Sequence, residues 1–580
     1  MRCFTLRSRH PVSVFSVALL AFTIFSIPAC GQVQETALSD GGMVSSQQWI
    51  ASQVGADVLA AGGNAVDAAI ATGFALAVTH PTAGNIGGGG FMVVRFPNGQ
   101  STTIDFREKA PLTAHPEMWL DENGDYSFEV HHRSHRAVGV PGTVAGFDKA
   151  HRLYGSSDWS DLVEPAVELA SDGFVLSEAL AGSMARFVSG RASQYEATVA
   201  AFTNNGASYV AGDTWRQPDL GRTLERIRDD RSDGFYRGTT ARLIAAEMRR
   251  GNGLITEEDL YRYEARERTP ITGMYRGYEV ISMPPPSSGG VAIVTALNIL
   301  EEYDLSSMGH NSAPYLHHLA EAMRRAFRDR ATHLADADFV DVPTQHLTSK
   351  DYAAWLRRDL DPERASVSHP SDVDQPYESP ETTHYSVVDA DGMAVSVTYT
   401  LESGYGSGIV VPSGGFLLNN EMGDFNAGPG LTNTSGLIGT EPNLARPQQR
   451  MLSSMSPSIV ARDGDLVAVV GSPGGRTIIN TTLQIILNMV DFGMNIQEAV
   501  NAPRMHHQWL PDRIRLEADA VVQDVVQALE ALGHTVQMGG RQGSANSIGV
   551  NPLSGERMGA PDPRSADSGA VGASVSRVRR

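Results

Sequence analysis

The sequence has almost no cysteine. The only two, Cys3 and Cys30, stand at the N-terminal end of a chain of 580 residues. The rest of the chain therefore has no disulfide framework, no cysteine nucleophile and no thiolate metal site. Gly-x-Ser-x-Gly and His-Glu-x-x-His motifs are also lacking. Their absence argues against a serine triad on a nucleophile elbow and against a zinc protease.

Basic residues are fewer than acidic ones. The net charge is −20 at pH 7, which argues against nucleic acid or an anionic membrane surface as a partner. Aromatic residues make up only 7% of the chain, whereas glycine is frequent and 41% of the residues are hydrophobic. This composition predicts a packed body of helices and strands with many tight turns. Length alone predicts several domains.

The N-terminal segment has the pattern of an export signal. Three arginines within the first nine residues precede an apolar run, residues 12–27, that is short for a bilayer span. The run leads to Cys30 in a context that resembles a bacterial lipoprotein signal, in which Pro28 is unusual. We expect residues 1–30 to be a signal peptide and the protein to be exported to the periplasm or the extracellular space. Lipid anchoring through Cys30 and simple cleavage nearby both stay open.

The first half reads mostly as helices. Apolar spacing predicts helices within residues 45–79 and over most of residues 140–360, and alternation predicts a hairpin of strands 91–96 and 102–107. Four glycines, residues 87–90, indicate either a tight turn or a close approach of two backbones. We favour the turn, because the spacing of a phosphate loop is lacking.

Three histidines, His131, His132 and His135, are close enough in sequence to suggest a metal site. No histidine or acidic partner follows them at metalloprotease spacing. We therefore interpret them as part of a solvated loop and predict neither a metal nor a cofactor.

The second half changes to strands. Residues 361–381, rich in Pro, Asp, Ser and Glu, read as a structureless linker. Hairpins are predicted for residues 383–389 with 394–400, 408–411 with 415–419, and 456–461 with 466–471. A helix is predicted for residues 476–492.

Thr382 stands where the linker meets the first of these hairpins. A chain cut at this point would expose a new N-terminal threonine. Such a threonine carries its own base, because its free α-amine titrates near neutrality and can take the hydroxyl proton. Thr382 is therefore the candidate nucleophile.

The hairpin gives this hypothesis a geometric test. Its loop, Ala390-Asp391-Gly392, suits a three-residue connection with glycine in the left-handed position. Asp389 then pairs with Met393, and counting back places Thr382 opposite Thr400, with β-carbons about 5 Å apart. Thr400 would then orient the Thr382 hydroxyl. A slip of one residue would break the pairing, and threonine is common in strands in any case.

A glycine-rich turn, residues 471–475, connects a predicted strand to the 476–492 helix. The amides of Gly474 and Gly475 at a helix N-terminus would suit an oxyanion that develops during attack on an amide. An ordinary strand-to-helix turn is the alternative.

Charged and hydroxyl residues cluster at the ends of other predicted strands. Arg107 ends one strand, Glu421 and Asp424 follow another, and Ser453 and Ser454 precede a third. Together they would hold a zwitterionic amino acid, with the acids on its ammonium and the arginine and serines on its carboxylate. Taken singly, each is more often a surface, loop or capping residue.

These motifs resemble the γ-glutamyltransferase (γ-glutamyltranspeptidase) family. The most specific are Thr382-Thr383-His384-Tyr385-Ser386-Val387-Val388-Asp389, Leu452-Ser453-Ser454-Met455-Ser456-Pro457 and Gly471-Ser472-Pro473-Gly474-Gly475. The resemblance implies an α+β fold, the four-layer αββα sandwich of the N-terminal nucleophile hydrolases. It also implies self-cleavage between Glu381 and Thr382, which gives a large subunit of residues 31–381 and a small subunit of residues 382–580 that build one sandwich jointly.

The resemblance also implies a reaction. Thr382 would attack the γ-amide of glutathione or a related γ-glutamyl compound and pass the acyl group to water or to an amino acid or dipeptide. The implied roles are assistance from Thr400, an oxyanion hole of Gly474 and Gly475, carboxylate binding by Arg107, Ser453 and Ser454, and ammonium binding by Glu421 and Asp424. Two positions depart from common family patterns: Glu402 replaces an asparagine near the ammonium, and Ser435 replaces a tyrosine of the lid loop in residues 428–439.

Two other functions compete with this one. A cephalosporin or glutaryl acylase would use the same machinery, although Asp424 favours a donor with an α-amino group. An uncleaved exported binding protein would keep the pocket without the chemistry, but the presence of Thr382, Thr400 and the glycine pair argues against it.

Overall fold

The computed structural model describes residues 36–369, 382–431, 440–518 and 520–574. In chain order its strands are β1 (Ala37–Ser39), β2 (Gly42–Ser46), β3 (Gly89–Arg95), β4 (Ser101–Phe106), β5 (Phe174–Val175), β6 (Thr203–Asn204), β7 (Ala207–Ser208), β8 (Thr214–Trp215), β9 (Arg266–Arg268), β10 (Ile271–Tyr275), β11 (Tyr278–Ser282), β12 (Thr383–Val388), β13 (Ala394–Thr400), β14 (Ser458–Arg462), β15 (Asp465–Val470), β16 (Met505–His506), β17 (Ile514–Glu517), β18 (Val536–Gly539), β19 (Ser547–Val550), β20 (Arg557–Ala560) and β21 (Gly569–Ala573).

The helices cover both halves of the chain. They are α1 (Trp49–Ala60), α2 (Ala65–Thr79), α3 (Phe128–Arg133), α4 (Thr143–Tyr154), α5 (Trp159–Asp172), α6 (Glu178–Ser189), α7 (Glu196–Phe202), α8 (Pro218–Asp230), α9 (Asp233–Tyr236), α10 (Gly238–Arg250), α11 (Glu257–Tyr261), α12 (Gly289–Leu300), α13 (Leu305–Met308), α14 (Ala313–His333), α15 (Thr344–Leu347), α16 (Lys350–Leu356), α17 (Thr477–Val490), α18 (Ile496–Asn501) and α19 (Gln523–Ala531). In the part of the chain described here, no helix has both the length and the apolar character needed to cross a bilayer.

Two antiparallel sheets of seven strands form the centre of the fold. Their strand orders are β1-β20-β19-β15-β14-β11-β10 and β21-β2-β12-β13-β3-β4-β9. Each sheet combines strands from before residue 370 with strands from after residue 381, so neither part of the chain completes a sheet alone. The chain from Gln34 onward accordingly forms one compact unit, although its length alone predicted several domains.

The alternation of side chains along the strands produces four layers. In the second sheet, Val44 and Val387 pack with helices α1 and α2, whereas their neighbours Met43 and Val388 face the first sheet. In the first sheet, Ile459 faces the second sheet, and the next residue, Val460, packs toward α12 and α17. Because successive residues of a strand point to opposite faces, each sheet is buried on both sides. The predicted αββα sandwich is confirmed.

The register of the hairpin that follows residue 382 is the one counted from the sequence. Strands β12 and β13 pair Thr383 with Tyr399, and the Asp389 amide donates to the Met393 carbonyl at 3.0 Å. Gly392 has a φ of +90°, the left-handed conformation that the loop requires. Thr382 directly precedes the Thr383–Tyr399 pair, and Thr400 directly follows it at the end of β13.

Other local predictions hold less well. The hairpin of β14 and β15 and the helix α17 form as predicted. Residues 408–411 and 415–419 form no regular strands: they are joined by the bridge between Val410 and Leu417 and by hydrogen bonds from the Val411 amide to the Phe416 carbonyl and from the Leu418 amide to the Ile409 carbonyl. The positive φ angles of Gly408, Ser413 and Gly415 turn the chain too sharply for two extended strands.

The first part of the predicted linker is anchored to the body. Ala365 donates its amide to the Leu532 carbonyl at 2.7 Å, and the Ser368 amide donates to Asp512 at 2.7 Å. Ser366 donates its hydroxyl to Glu321 on α14 at 2.6 Å. Residues 361–369 therefore lack regular secondary structure, yet side chains from both halves of the chain hold them in place. The rest of the predicted linker lies outside the described residues.

Candidate active site

One pocket contains nine of the ten residues selected from the sequence. It is lined by Arg107, Thr382, Thr400, Glu402, Glu421, Asp424, Ser453, Ser454, Met455, Gly475 and Ile478. The tenth residue, Gly474, precedes Gly475 in the turn before α17. Residues that are hundreds of positions apart in the sequence thus meet at one end of the paired sheets.

The two threonines lie at the open end of the hairpin. Thr382 directly precedes β12, and Thr400 is the last residue of β13. The amide of Glu402 donates to Thr400 Oγ1 at 2.9 Å, and Asn85 donates its side-chain amide to the Thr400 carbonyl at 2.8 Å. The hydrogen bond from Glu402 thus fixes the position of Thr400 Oγ1, and Thr400 lines the same pocket as Thr382. Asn85 was not anticipated from the sequence.

The glycine run at residues 87–90 packs directly behind these threonines. A Cβ at Gly88 would overlap the Thr400 carbonyl oxygen, and one at Gly87 would overlap the Leu417 carbonyl oxygen. Neither glycine has a positive φ. Close approach of two backbones therefore requires these glycines, and residues 86–88 also form a bend in which the Gly88 amide donates to Asn85 Oδ1 at 2.9 Å.

The turn before α17 has an unusual backbone at both glycines. Gly474 has a φ of +130° and Gly475 a φ of +55°, conformations that disfavour any side chain. Within the described residues, neither amide donates a hydrogen bond to another group of the protein. Gly475 lines the pocket, and two adjacent N–H groups in such a turn are what an oxyanion hole requires.

Arg107 is fully buried at the opposite side of the pocket and surrounded by acceptors. Its Nη1 and Nη2 atoms form close ion pairs with Glu421 and Asp424, which flank a 3₁₀ turn. Its Nε and Nη2 atoms also donate to the carbonyls of Met451 and Leu452 at 3.3 and 3.2 Å. Burial alone would lower the pKa of Arg107, but the neighbouring carboxylates raise it above its ordinary value. The guanidinium therefore keeps its charge.

Among the acids that line the pocket, two carboxylate oxygens have no hydrogen-bond donor in the described structure. They are Glu421 Oε2 and Glu402 Oε1, and both are buried. Burial raises the pKa of Glu421 well above its ordinary value, although Arg107 opposes the shift. An ammonium group would supply the missing donors and favour the ionised form of Glu421.

Glu402 occupies a strained backbone position. Its φ is +77°, a region in which asparagine is several-fold enriched among non-glycine residues. Its carboxylate accepts hydrogen bonds from Ser403 at 2.5 Å and from Asn420, and it lies 3.7 Å from His132 Nδ1. The acid at this position is thus held by its own neighbours.

A further acid, Glu108, lies behind Arg107 and was not selected from the sequence. It is fully buried, its Oε2 atom is 3.6 Å from Arg107 Nη1, and neither oxygen has a hydrogen-bond partner in the described structure. Burial raises the pKa of Glu108 to about 8, against the opposing effect of Arg107, while Asp424 and Asp105 raise it further. Burial of Glu108 thus favours its protonated form at neutral pH.

The serine pair is held by hydrogen bonds from its surroundings. Ser453 Oγ accepts the Met455 amide at 3.1 Å, and Ser454 Oγ accepts Arg330 Nη2 at 3.1 Å. Arg330 is fully buried on α14, more than 120 positions away in sequence. The sequence gives no signal for this contact beyond an arginine on an otherwise buried helix face.

The histidines at residues 131–135 are buried, so their interpretation as a solvated loop was wrong. His131 Nε2 is 3.0 Å from the Met422 carbonyl, and His135 Nε2 is 2.8 Å from Glu247. Helix α3 and the short turn after it pack against the 3₁₀ turn of the pocket, which removes these side chains from water.

Among the described residues, one group has the geometry of a metal site: His317, Glu321 and His534. His317 is 2.8 Å from His534 Nε2 through its Nδ1 atom and 2.8 Å from the Asp361 carbonyl through its Nε2 atom. Glu321 already accepts hydrogen bonds from Arg324, Arg325 and Ser366. Two guanidinium groups beside the only acid disfavour a cation there.

Three residues that the sequence singled out lie outside the described part of the chain. They are Cys30, Glu381 at the predicted cleavage point, and Ser435 in the loop that resembles a lid. Their predictions stand as they were made from the sequence.

Comparison with known proteins identifies the family. A sequence model described as gamma-glutamyltranspeptidase matches residues 51–572. The chain belongs to this family. A glutathione hydrolase proenzyme of Escherichia coli is 50% identical over 529 residues, which cover 91% of each chain. A glutathione hydrolase proenzyme of a Pseudomonas species is 46% identical and covers 95% of this chain and 98% of its own.

A solved structure supports the fold. The cephalosporin acylase of Bacillus halodurans has a TM-score of 0.83 and covers 95% of this chain and 99% of its own at 27% identity. The αββα sandwich is therefore that of the N-terminal nucleophile hydrolases, and the protein is an enzyme of the γ-glutamyltranspeptidase family. The acylase is much less similar in sequence than the two glutathione hydrolases.

Proposed function

We propose that this chain is a self-processing γ-glutamyltransferase that cleaves the γ-glutamyl amide of glutathione and related compounds. The observation that carries the proposal is the lining of one pocket, in which a threonine at a strand start faces an arginine, two serines and three acids. The two relatives named as glutathione hydrolases support glutathione as a donor. The acceptor is water, an amino acid or a dipeptide.

In this mechanism Thr382 Oγ attacks the carbonyl carbon of the γ-amide. The hydroxyl proton passes to the free α-amine of Thr382 and then to the departing amine, and a γ-glutamyl ester is left on the threonine. Water or an acceptor amine then attacks the ester and restores the hydroxyl. The amides of Gly474 and Gly475 stabilise the oxyanion in both steps, and Thr400 orients the nucleophile.

Recognition of the donor rests on its two α-substituents. Arg107, Ser453 and Ser454 bind the α-carboxylate, while Glu421 and Asp424 bind the α-ammonium. The oxygens Glu421 Oε2 and Glu402 Oε1, which lack donors within the described structure, support this assignment. Glu402 contributes a carboxylate where many family members have an amide.

A cephalosporin or glutaryl acylase is the second candidate, because a cephalosporin acylase shares the fold. A glutaryl group has no ammonium, so the acids of the pocket would gain nothing from it. Steady-state kinetics with γ-glutamyl and glutaryl anilides separate the two functions. We expect kcat/KM to favour the γ-glutamyl donor by at least about 100-fold. The glutaryl anilide has no ammonium, so Glu421 Oε2 and Glu402 Oε1 would stay without a hydrogen-bond donor. Comparable values for the two anilides would refute an α-amino donor.

We infer that the chain cleaves itself between Glu381 and Thr382 into subunits of residues 31–381 and 382–580. The mixing of strands from both parts in each sheet supports their continued association. Denaturing electrophoresis of the purified protein should give two bands, and Thr382→Ala should give one. Thr383→Ala is the matched control, because it removes the adjacent buried hydroxyl, and it should still give two bands. One full-length band from folded, unaltered protein would refute self-cleavage.

The same experiments address the third candidate, an uncleaved exported binding protein. Such a protein would show one band and no turnover of either anilide. Export and attachment through Cys30 stay predictions from the sequence, and labelling of cells with a lipid precursor before and after Cys30→Ala tests the attachment.

A further inference from the structure

Two buried hydroxyl groups hold the carbonyl oxygens of the turn before α17. Ser472 Oγ donates to the Pro473 carbonyl at 2.8 Å, and Thr477 Oγ1 donates to the Gly474 carbonyl at 2.8 Å. Neither Ser472 nor Thr477 was selected from the sequence as a member of the site. Both residues are buried, and in such surroundings a hydrogen bond is electrostatically stronger than in water.

Each of these carbonyls belongs to the same peptide group as one of the two glycine amides. The Pro473 carbonyl is joined to the Gly474 N–H, and the Gly474 carbonyl is joined to the Gly475 N–H. Both peptide bonds are trans. In a trans peptide group the C=O and the N–H lie in one plane and point in opposite directions. A hydroxyl that fixes the carbonyl therefore also aims the N–H of the same peptide group, on the side away from itself.

Neighbouring groups hold both ends of this turn. Ser472 Oγ accepts the amide of Ser544 at 3.2 Å, from the loop between β18 and β19. Gly543 in the same loop has a φ of +69°, and a Cβ there would overlap Ser472 Oγ. At the other end, the Thr477 amide also donates to the Gly474 carbonyl, at 3.1 Å. The loop before β19 and the first residue of α17 thus fix the two peptide groups between them.

We propose that two positioning residues, Ser472 and Thr477, aim the amides of Gly474 and Gly475 at the oxyanion. This inference rests on the proposed function, in which these two amides form the oxyanion hole. The hydroxyls also polarise the amides, because a hydrogen bond accepted by the carbonyl of a peptide group strengthens the N–H of that group as a donor. Neither hydroxyl residue is among those that line the described pocket. Both thus act on the negative charge that develops during the reaction, and not on the affinity for the donor substrate.

The test removes one hydroxyl at a time from the self-cleaved enzyme. Thr477→Val keeps the shape of the side chain and loses the hydroxyl, whereas Thr477→Ser keeps the hydroxyl. With a γ-glutamyl anilide we expect kcat to fall about 10-fold for Thr477→Val, which corresponds to one net hydrogen bond. For Thr477→Ser we expect kcat within about twofold of the unaltered enzyme, because the hydrogen bond to the carbonyl is kept. KM should stay within about threefold in both variants, because formation and breakdown of the ester lose the same stabilisation.

A second variant and a control complete the set. Ser472→Ala should also lower kcat about 10-fold at a nearly unchanged KM. Thr482→Val is the matched control, because Thr482 is buried on the same helix and its hydroxyl has no hydrogen-bond partner within the described structure. Its kcat should equal that of the unaltered enzyme. Circular dichroism and the two-band gel verify folding and processing of every variant, and each rate is divided by the amount of cleaved enzyme.

Three results would overturn the inference while γ-glutamyl turnover by the unaltered enzyme still stands. The first is an unchanged kcat in a folded, cleaved Thr477→Val or Ser472→Ala enzyme, which removes the role of that hydroxyl. The second is an equal loss for Thr477→Val and Thr477→Ser, or a loss that appears in KM alone. The third is a Thr477→Val chain that fails to fold or to cleave itself, which assigns the hydroxyl to folding or processing.

The choice of donor separates this inference from the proposed function. Both a γ-glutamyl and a glutaryl anilide pass through an oxyanion, so the same fold losses are expected with whichever anilide the unaltered enzyme prefers. A preference for the glutaryl anilide would refute the proposed donor and leave the inference standing. Failure of the unaltered, two-band enzyme to turn over either anilide overturns both.

Discussion

Replacement of Glu108 by glutamine should change the pH dependence of substrate affinity. Glu108 is fully buried 3.6 Å from Arg107 Nη1, and burial raises its pKa to about 8. Below pH 8 the neutral form should predominate and leave the Arg107 charge to the α-carboxylate of the proposed donor. Above pH 8 it becomes a carboxylate that competes for the same guanidinium. Affinity should therefore fall as the pH rises through 8.

The magnitude follows from Coulomb's law. A carboxylate at Glu108 would lie about 7 Å from a substrate carboxylate bound to Arg107, which costs about 2 kcal/mol at an effective dielectric constant near 20. This corresponds to about 30-fold weaker binding to the ionised form. With a pKa of about 8, KM should rise about eightfold between pH 7 and pH 9. Glu108→Gln stays neutral and should lack this rise.

The assay is the ratio of KM for the unaltered enzyme to KM for Glu108→Gln, measured with a γ-glutamyl anilide at each pH. The ratio cancels the titration of the substrate's own amine. We expect a ratio near 1 at pH 7 and about 8 at pH 9. Glu117→Gln is the control, because Glu117 is exposed to solvent whereas Glu108 is buried. A ratio that does not vary with pH would refute the reasoning.

The free energy of unfolding should also depend on the protonation of Glu108. The pKa of Glu108 is higher in the folded protein than in the unfolded chain, so its contribution to stability is complete below about pH 4.5 and is lost as the pH rises to 8. The loss is at most about 5 kcal/mol. The free energy of unfolding of Glu108→Gln should decline less over this range, and parallel curves for the two proteins would contradict the assignment.

Three further predictions concern other parts of the molecule. Gly474→Ala should lower kcat about 100-fold or more. Gly474 has a φ of +130°, and a Cβ there would overlap Thr477 Oγ1 and displace the amides. Unchanged kcat in steady-state kinetics would exclude the oxyanion role. Thr400→Val should lower kcat about 10- to 100-fold, and Thr400→Ser, which keeps the hydroxyl, should restore it. Equal kcat for the two variants would refute a role of the Thr400 hydroxyl in orienting Thr382. Asp512→Asn should cost about 1–3 kcal/mol in urea unfolding, because it weakens the anchor of Ser368.

The sequence was sufficient to predict the hairpin and to select nine residues that line one pocket. The register of β12 and β13 agrees with the three-residue loop that Gly392 favours, which is a local feature of the sequence. The serine and glycine pairs carry family motifs. Such features are encoded within a few neighbouring positions, and for that reason they can be recognised without knowledge of the fold.

Features that depend on distant contacts could not be predicted. Nothing near Gly88 in the sequence indicates that the Thr400 carbonyl will pack against it, and nothing near Arg330 indicates Ser454. Glu108 reads as an ordinary charged residue after a strand, and only the fold reveals that it is buried. The pairing of distant strands creates each of these environments, so their chemistry is invisible to local patterns.

The charges of the pocket explain why a zwitterionic donor fits it better than an anionic one. Among the described residues that line the pocket, Glu402, Glu421 and Asp424 outnumber Arg107. A donor that brings only a carboxylate would compete with these acids for one guanidinium. It would also leave Glu421 Oε2 and Glu402 Oε1 without a hydrogen-bond donor, which costs about 1–3 kcal/mol for each buried oxygen. In the proposed binding mode, the ammonium of an α-amino donor would fill both oxygens and leave Arg107 and the serines to its carboxylate. Selectivity for such a donor would then arise from an exchange of ion pairs, with each charge of the substrate replacing one that the protein already provides.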